Sequence, residues 1–265
     1  RAAVEAELAI HGPRLPVYWG NRNWHPFLTD TLRQMESDGI RRALAFVTSA
    51  FGSYSGCRQY LADIDRARAA AGPGAPIVEK LRGFYNHPRF LAAVSDRAAV
   101  AFDQIPLERR TAAELLFTAH SIPLAMAQTS PYVEQLEEAC SRVAAALGRS
   151  HWRLVYQSRS GPPAQPWLVP DIGDGLRDLR ANSGDPRDVV VVPIGFLSDH
   201  MEVKYDLDTE AQSLAQELGV NMVRAATAGT HPELIAMIRE LIEERVNGAE
   251  CHACPVDCCP TPSRL

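Results

Sequence analysis

The chain of 265 residues predicts an α/β fold of two parallel sheets, each flanked by helices. Three observations predict it. Short continuous apolar runs, of which Val189-Val190-Val191-Val192 is the purest, alternate with longer stretches of helical period, as strands buried on both faces do. Apolar residues make up 46% of the chain and charged residues 22%, a balance that supports a sizeable core and excludes a disordered chain. The alternation is interrupted once, by the short polar segment 107–113, which is the predicted boundary between the two sheets.

The elements follow in order. Residues 15–20 form a short apolar run. His25-Pro26 opens a helix to about residue 38, with Pro26 suited to the first helical position. Residues 42–50 contain Ala43-Leu44-Ala45-Phe46-Val47, a buried strand. A helix over 55–71 is closed by Gly72-Pro73-Gly74, a strand follows at 76–81, and His87-Pro88 opens a helix toward residue 103. The second series has strands at 113–119, 152–157, 189–197 and 220–225 and helices at 131–147, 171–179, 200–218 and 232–246. The chain begins in a helix-like segment, residues 2–9. Doubly wound sheets usually begin with a strand, so an N-terminal piece is expected to be missing from this sequence.

Composition narrows the function. With 27 basic against 32 acidic residues, the net charge of −5 argues against a general nucleic-acid binder. No run approaches the ~20 apolar residues that span a bilayer, and no signal-peptide hydrophobic region is visible, so no transmembrane segment is expected and the predicted compartment is the cytoplasm. Four of the six cysteines, Cys251, Cys254, Cys258 and Cys259, cluster at the C-terminus, which in such a chain suggests a metal site before disulfides.

Three stretches carry candidate chemistry. The strand ending in Phe117-Thr118-Ala119-His120-Ser121-Ile122-Pro123 places a histidine at a carboxyl strand edge, where ligands of open sheets bind; a loop histidine with a hydrogen bond is the alternative. The segment Ser198-Asp199-His200-Met201-Glu202 leads into a helix with Glu202, Asp206 and Glu210 four residues apart. Each step turns about 400°, so the three carboxylates lie on one face, suited to a divalent cation or else simply solvated. The segment Tyr156-Gln157-Ser158-Arg159-Ser160-Gly161-Pro162-Pro163, with Pro166-Trp167-Leu168, is a strand end and rigid loop whose Trp167 can wall a flat ligand or pack under the loop.

Together these three stretches resemble the ferrochelatase family, in its order and spacing. So do Tyr18-Trp19-Gly20-Asn21-Arg22-Asn23-Trp24-His25-Pro26-Phe27, and Thr48-Ser49-Ala50 before Ser53-Tyr54-Ser55. The resemblance covers nearly the whole chain. It implies two Rossmann-like domains with an active-site cleft between them: residues 1–108, truncated at the N-terminus and completed by the helix 231–247; residues 109–230; and a cysteine-rich tail, 248–265. It implies a lyase of haem biosynthesis that inserts the substrate Fe²⁺ into a porphyrin. His120 and Glu202 match the catalytic pair. Asp206 and Glu210 continue the acidic row, so all four are expected to meet the iron. Arg22, Asn23, Ser53, Tyr54 and Trp167 are expected at the porphyrin. The stretches Asn21-Arg22-Asn23-Trp24 and Ser53-Tyr54-Ser55-Gly56-Cys57 look closest to the bacterial branch that metallates coproporphyrin III, with protoporphyrin IX as the alternative and haem-pathway enzymes as possible partners.

Some members of the family carry a [2Fe–2S] cluster with the spacing of Cys251, Cys254 and Cys259 plus one internal cysteine, a position matched by Cys57. The resemblance therefore implies a structural or sensory cluster on these four. Zinc suits four thiolates as well, and Cys258 is an alternative to Cys259. Cys140, on an amphipathic helix, is expected to be packing. A bilobal binding protein shares such an architecture but leaves a histidine and a glutamate at two strand ends unexplained. A fragment inactive for want of its first strand is a third reading.

Overall fold

The computed structural model describes residues 1–162, 164–182, 187–248 and 259–260. Helix α1 (Ala2–His11) and an irregular stretch lead to α2 (Leu28–Ser37), β1 (Arg42–Ala45), a π-helical turn (Tyr54–Arg58) that runs into α3 (Gln59–Ala71), β2 (Ile77–Lys80), α4 (Pro88–Phe102) and the short α5 (Leu107–Arg110). The second series is β3 (Glu114–His120), α6 (Leu124–Gln128), α7 (Tyr132–Ala146), β4 (Arg153–Gln157), α8 (Ile172–Asn182), β5 (Arg187–Val192), α9 (Met201–Val203), a π-helix (Lys204–Ala211), α10 (Gln212–Glu217), β6 (Val220–Arg224) and α11 (Pro232–Val246).

Strands β1 and β2 pair in parallel, and four further parallel strands run in the order β4-β3-β5-β6. Central β3 is buried from Leu115 through Ala119 because helices cover both faces, which is why its apolar run is continuous. Leu115, Phe117, Val190 and Val192 face one core, while Leu116, Val189 and Val191 face a second with α8 and the π-helix. The first core does not stop at the predicted boundary. It continues through α4 and α7 to Phe51 and Phe84 beside the smaller sheet and to Leu234, Ile238 and Leu241 of α11. Helix α11 packs on α4 and α1. Arg89 of α4 reaches Glu233 and Glu240 at 2.7 and 2.6 Å, and Arg239 of α11 reaches Glu7 at 2.9 Å.

Several elements differ from the sequence prediction. The helix predicted from His25-Pro26 starts at Leu28. Residues 21–27 close a tight loop in which Asn21 N–H donates to Pro26 O (2.8 Å) and Leu28 N–H to Asn21 O (3.0 Å), so Pro26 lies before the helix. The strand predicted over 42–50 is regular only to Ala45. The strand predicted over 189–197 ends at Val192, because Pro193 has no N–H for the ladder. The helix predicted over 200–218 is α-helical only at its ends, with a π-helix between. Among the described residues, no helix is long and apolar enough to cross a membrane.

Candidate active site

The site begins at the carboxyl end of β3. Parallel register sets His120 beside Gln157 of β4, and Ser121 N–H donates to Gln157 O at 2.8 Å. The phenol of Tyr132 donates to His120 O at 2.9 Å; burial pushes the pKa of this phenol up, so it stays a donor. His120 Nδ1 lies 2.5 Å from Ser121 O. A carbonyl only accepts, so the contact assigns the proton to Nδ1, and in the neutral ring Nε2 then holds the lone pair. Gly195 N–H donates to Thr118 O at 3.0 Å, and Gly195 rests on Ala119, where an added Cβ would stand 2.6 Å from Ala119 Cα. This close approach delivers Phe196, whose ring lies 6.4 Å from the His120 ring and 5.3 Å from that of His200. His200 is the residue before α9, so the same turn leads into the acidic helix.

On that helix Glu202 and Glu210 are exposed, with no hydrogen bond or ion pair among the described residues, whereas Asp206 is half-buried and held. Ser158 Oγ donates to Asp206 Oδ2, and Gln157 Nε2 reaches the same oxygen at 3.4 Å. Gln157 therefore stands between His120 and Asp206 and brings these two predicted residues into one region. Neither Gln157 nor Ser158 was singled out as a site residue by the sequence; the motif they belong to is visible, but their contact with Asp206 depends on the fold. Among the described residues, no three His, Cys, Asp or Glu side chains stand together so as to hold one ion.

Trp167 is stitched to the same loop. Its segment bridges Pro123, Leu168 N–H donates to Ile122 O (3.0 Å) and Ser121 Oγ to Leu168 O (2.9 Å). Its half-buried indole covers Gly161, where an added Cβ would stand 2.4 Å from the ring. The Ser53–Tyr54 turn abuts this half of the molecule: Gly52 N–H donates to Gln135 at 2.7 Å, and Ser55 Oγ lies 3.7 Å from Met126 Sδ. The Ser53 hydroxyl is buried and accepts from Gly56 N–H at 3.0 Å, so it caps the π-turn; Tyr54 is half-buried beside it. Arg22 lies against α3, its Nε 2.5 Å from Asp63 and its guanidinium 4.5 Å from the Tyr60 ring centre, while neighbouring Asn23 is exposed.

Of the predicted cluster ligands, Cys57 and Cys259 are described, one half-buried and one buried. Cys251, Cys254 and the alternative Cys258 lie outside the described residues. Cys140 is a core residue whose thiol pKa burial drives up, which leaves it unreactive.

The family described as Ferrochelatase matches residues 1–246. A ferrochelatase of Rhodopirellula baltica is 49% identical over 276 residues, covering 99% of this chain and 78% of the relative. A coproporphyrin III ferrochelatase of Nocardia farcinica is 49% identical over 255 residues, covering 93% and 72%. The solved sirohydrochlorin chelatase SirB of Bacillus subtilis subspecies spizizenii, in complex with cobalt, superposes with a TM-score of 0.62 at 13% identity, over 94% of this chain and 90% of that one, a likeness of fold. With a matching family model over nearly its whole length and close relatives of that name, this chain belongs to the ferrochelatase family, the lyases that insert a metal ion into a porphyrin.

Proposed function

We propose that the chain inserts Fe²⁺ into coproporphyrin III in haem biosynthesis, with His120 and Glu202 as the catalytic pair and Asp206 and Glu210 as the outer members of the iron path. Metallation replaces two pyrrole protons by one Fe²⁺, so the site must admit one hydrated cation and accept two protons, one assigned to His120 and the other to the Glu202 carboxylate. The observation that carries the reading is the contact of His120 Nδ1 with Ser121 O at the carboxyl end of β3. With Nδ1–H engaged by Ser121 O, Nε2 is free of partners among the described residues and can take a pyrrole proton. The carboxylate row exchanges water ligands of Fe²⁺ for oxygen ligands of its own. Trp167, Arg22, Asn23, Ser53 and Tyr54 are assigned to the porphyrin: Trp167 as an apolar wall, Arg22 as a cation for carboxylate side chains of the ring. Binding that favours a bent macrocycle lowers the barrier by exposing its lone pairs. The choice of coproporphyrin III is supported by relatives of that name at 45–49% identity.

The test is anaerobic, Fe²⁺-dependent loss of the free-base porphyrin spectrum, with coproporphyrin III and protoporphyrin IX compared. Faster metallation of coproporphyrin III is expected. His120→Ala is expected to lower the rate by ~10²–10⁴ with the fold retained. Near-normal turnover by that variant would remove His120 from the mechanism, and a preference for protoporphyrin IX would reassign the substrate.

For Cys57, Cys251, Cys254 and Cys259 we propose a resident [2Fe–2S] cluster. Four thiolates are the donor set such a cluster takes, and the family resemblance supplies four cysteines at its spacing. Its contribution is to tie the tail to the first half of the chain, since such binding adds directly to folding stability. Iron and acid-labile sulfide per chain, measured for single serine variants, are expected to fall in each of the four and to persist in Cys140→Ser and Cys258→Ser. Zinc without sulfide would replace the cluster by a structural zinc site.

A further inference from the structure

We propose that Gln157 and Ser158 are positioning residues for Asp206, which makes Asp206 the fixed point of the acidic row. The inference rests on the reading of that row as the iron path, and it goes beyond it by assigning a role to two side chains outside the row.

Three observations carry it. First, the polar contacts are directional. Gln157 Nε2 lies 3.5 Å from Ser158 Oγ and 3.4 Å from Asp206 Oδ2. An amide N–H can only donate, so Ser158 Oγ accepts from Gln157 and turns its own proton to Asp206 Oδ2. Flipping the Gln157 amide would set its oxygen against the carboxylate, two acceptors facing each other, so the network fixes the amide orientation. Both donors meet Oδ2, and Oδ1 has no donor among the described residues. One oxygen is thus anchored and the other is left for a cation.

Second, Ser158 adopts φ 62°, in the left-handed region. Glycine takes this conformation without steric cost, whereas an L residue is strained there. The strain sits at the one position after β4 from which a hydroxyl reaches Asp206, and strain of this kind is held in place by surrounding structure. Here that structure is the ladder with β3, since Gln157 pairs with His120.

Third, Gln157 is 1% exposed, and its Oε1 is buried with no hydrogen-bond partner. A buried orphan acceptor is costly and is tolerated only where another requirement dictates the side chain. That requirement is the pair of donations from Nε2. Glu202 and Glu210, four residues to either side, have no such support and can swing with an arriving ion. Asp206 cannot, so it loses little conformational freedom on binding iron.

The experiment is a double-mutant cycle on the intact protein, read as kcat and as KM for Fe²⁺ and for coproporphyrin III separately. Ser158→Ala is expected to raise the KM for Fe²⁺ by about tenfold, the scale of one hydrogen bond to a charged group, with kcat and the porphyrin KM little changed. Gln157→Met, similar in length, is expected to do the same more weakly. In the Asp206→Asn background, Ser158→Ala is expected to add nothing, because its effect passes through that carboxylate. Ser158→Gly removes the hydroxyl while relieving the backbone. It is expected to match Ser158→Ala in KM and exceed it in thermal stability, which separates positioning from a folding defect. If Asp206→Asn raises the KM for Fe²⁺ but Ser158→Ala leaves it unchanged, or if the two effects multiply, the positioning role is overturned while the iron path stands. If Asp206→Asn itself leaves that KM unchanged, the iron-path reading fails and the positioning role falls with it.

Discussion

Gly195 has no side chain because Ala119 occupies its place. An added Cβ would stand 2.6 Å from Ala119 Cα and 2.7 Å from Ala119 Cβ, in backbone of the central strand one residue before His120. Gly195→Ala is therefore expected to lower stability by ~1–3 kcal/mol in urea unfolding, the range for overpacking a filled core. It should also slow metallation by more than the unfolded fraction accounts for, because the displaced backbone carries His120. An activity loss matched to the unfolded fraction would show that β3 yields without moving the imidazole. At this scale the position of His120 was legible in the sequence: a histidine that closes a continuous apolar strand was expected at the sheet's carboxyl edge, and it ends β3. Gln157 and Ser158 were legible as a motif but not as a clamp. The burial of one and the left-handed backbone of the other are consequences of pairing with β3 and packing near a helix some 50 residues away.

Among the elements, the acidic helix is the instructive disagreement. Arithmetic for an α-helix turns four residues through about 400°, so each step drifts about 40° and a row spaced by four slowly spirals. Over the segment Lys204–Ala211 the helix is wider, with i→i+5 bonds, and winds more slowly. Its buried side shows why: Val203, Leu207, Ala211 and Ala215 are all buried, each four residues after the last. In an α-helix the first and last of these would point about 120° apart. Wider turns keep all four in the core, and Glu202, Asp206 and Glu210, with the same spacing, stay aligned for the same reason. The signal was in the sequence as an apolar period of four rather than 3.6, and the α-helical reading passed over it.

Helix α4 illustrates the opposite case, in which the His87-Pro88 signal was legible and its chemistry was not. His87 Nδ1 accepts from Arg89 N–H at 3.3 Å and so caps the helix as the neutral imidazole; its Nε2 faces Glu240 at 3.5 Å. Burial, with Arg82 and Arg89 beside it, holds its pKa below the ordinary value despite Glu240 and Glu244. A folded-state value below the unfolded one means that the unfolded chain binds the proton more readily. The contribution of the cap is thus complete above about pH 6.5 and is lost as the pH falls toward the depressed folded value. The thermal midpoint is expected to drop between about pH 7 and about pH 5. His87→Asn, which keeps a capping oxygen, is expected to flatten part of that slope. An unchanged slope in the variant would remove His87 as its source.

For the molecule as a whole, the alternation of apolar runs and amphipathic helices revealed two parallel sheets. What the sequence did not reveal is that the halves share their interior. That follows from the partners chosen by α4, α7 and α11, and an amphipathic face shows only that a partner exists. Phe84, Phe90, Phe51 and Tyr132 form a chain of ring contacts, with centroids 5.6, 6.2 and 6.3 Å apart, that ends at the phenol holding the His120 carbonyl. The consequence is mechanical. A protein that clamps its ligand by bending needs a seam with few contacts across it, and a close-packed interior has low compressibility and transmits displacement. This chain has aromatic rings where such a seam would run. Hinge bending between the two halves would have to separate these rings and open a filled interior.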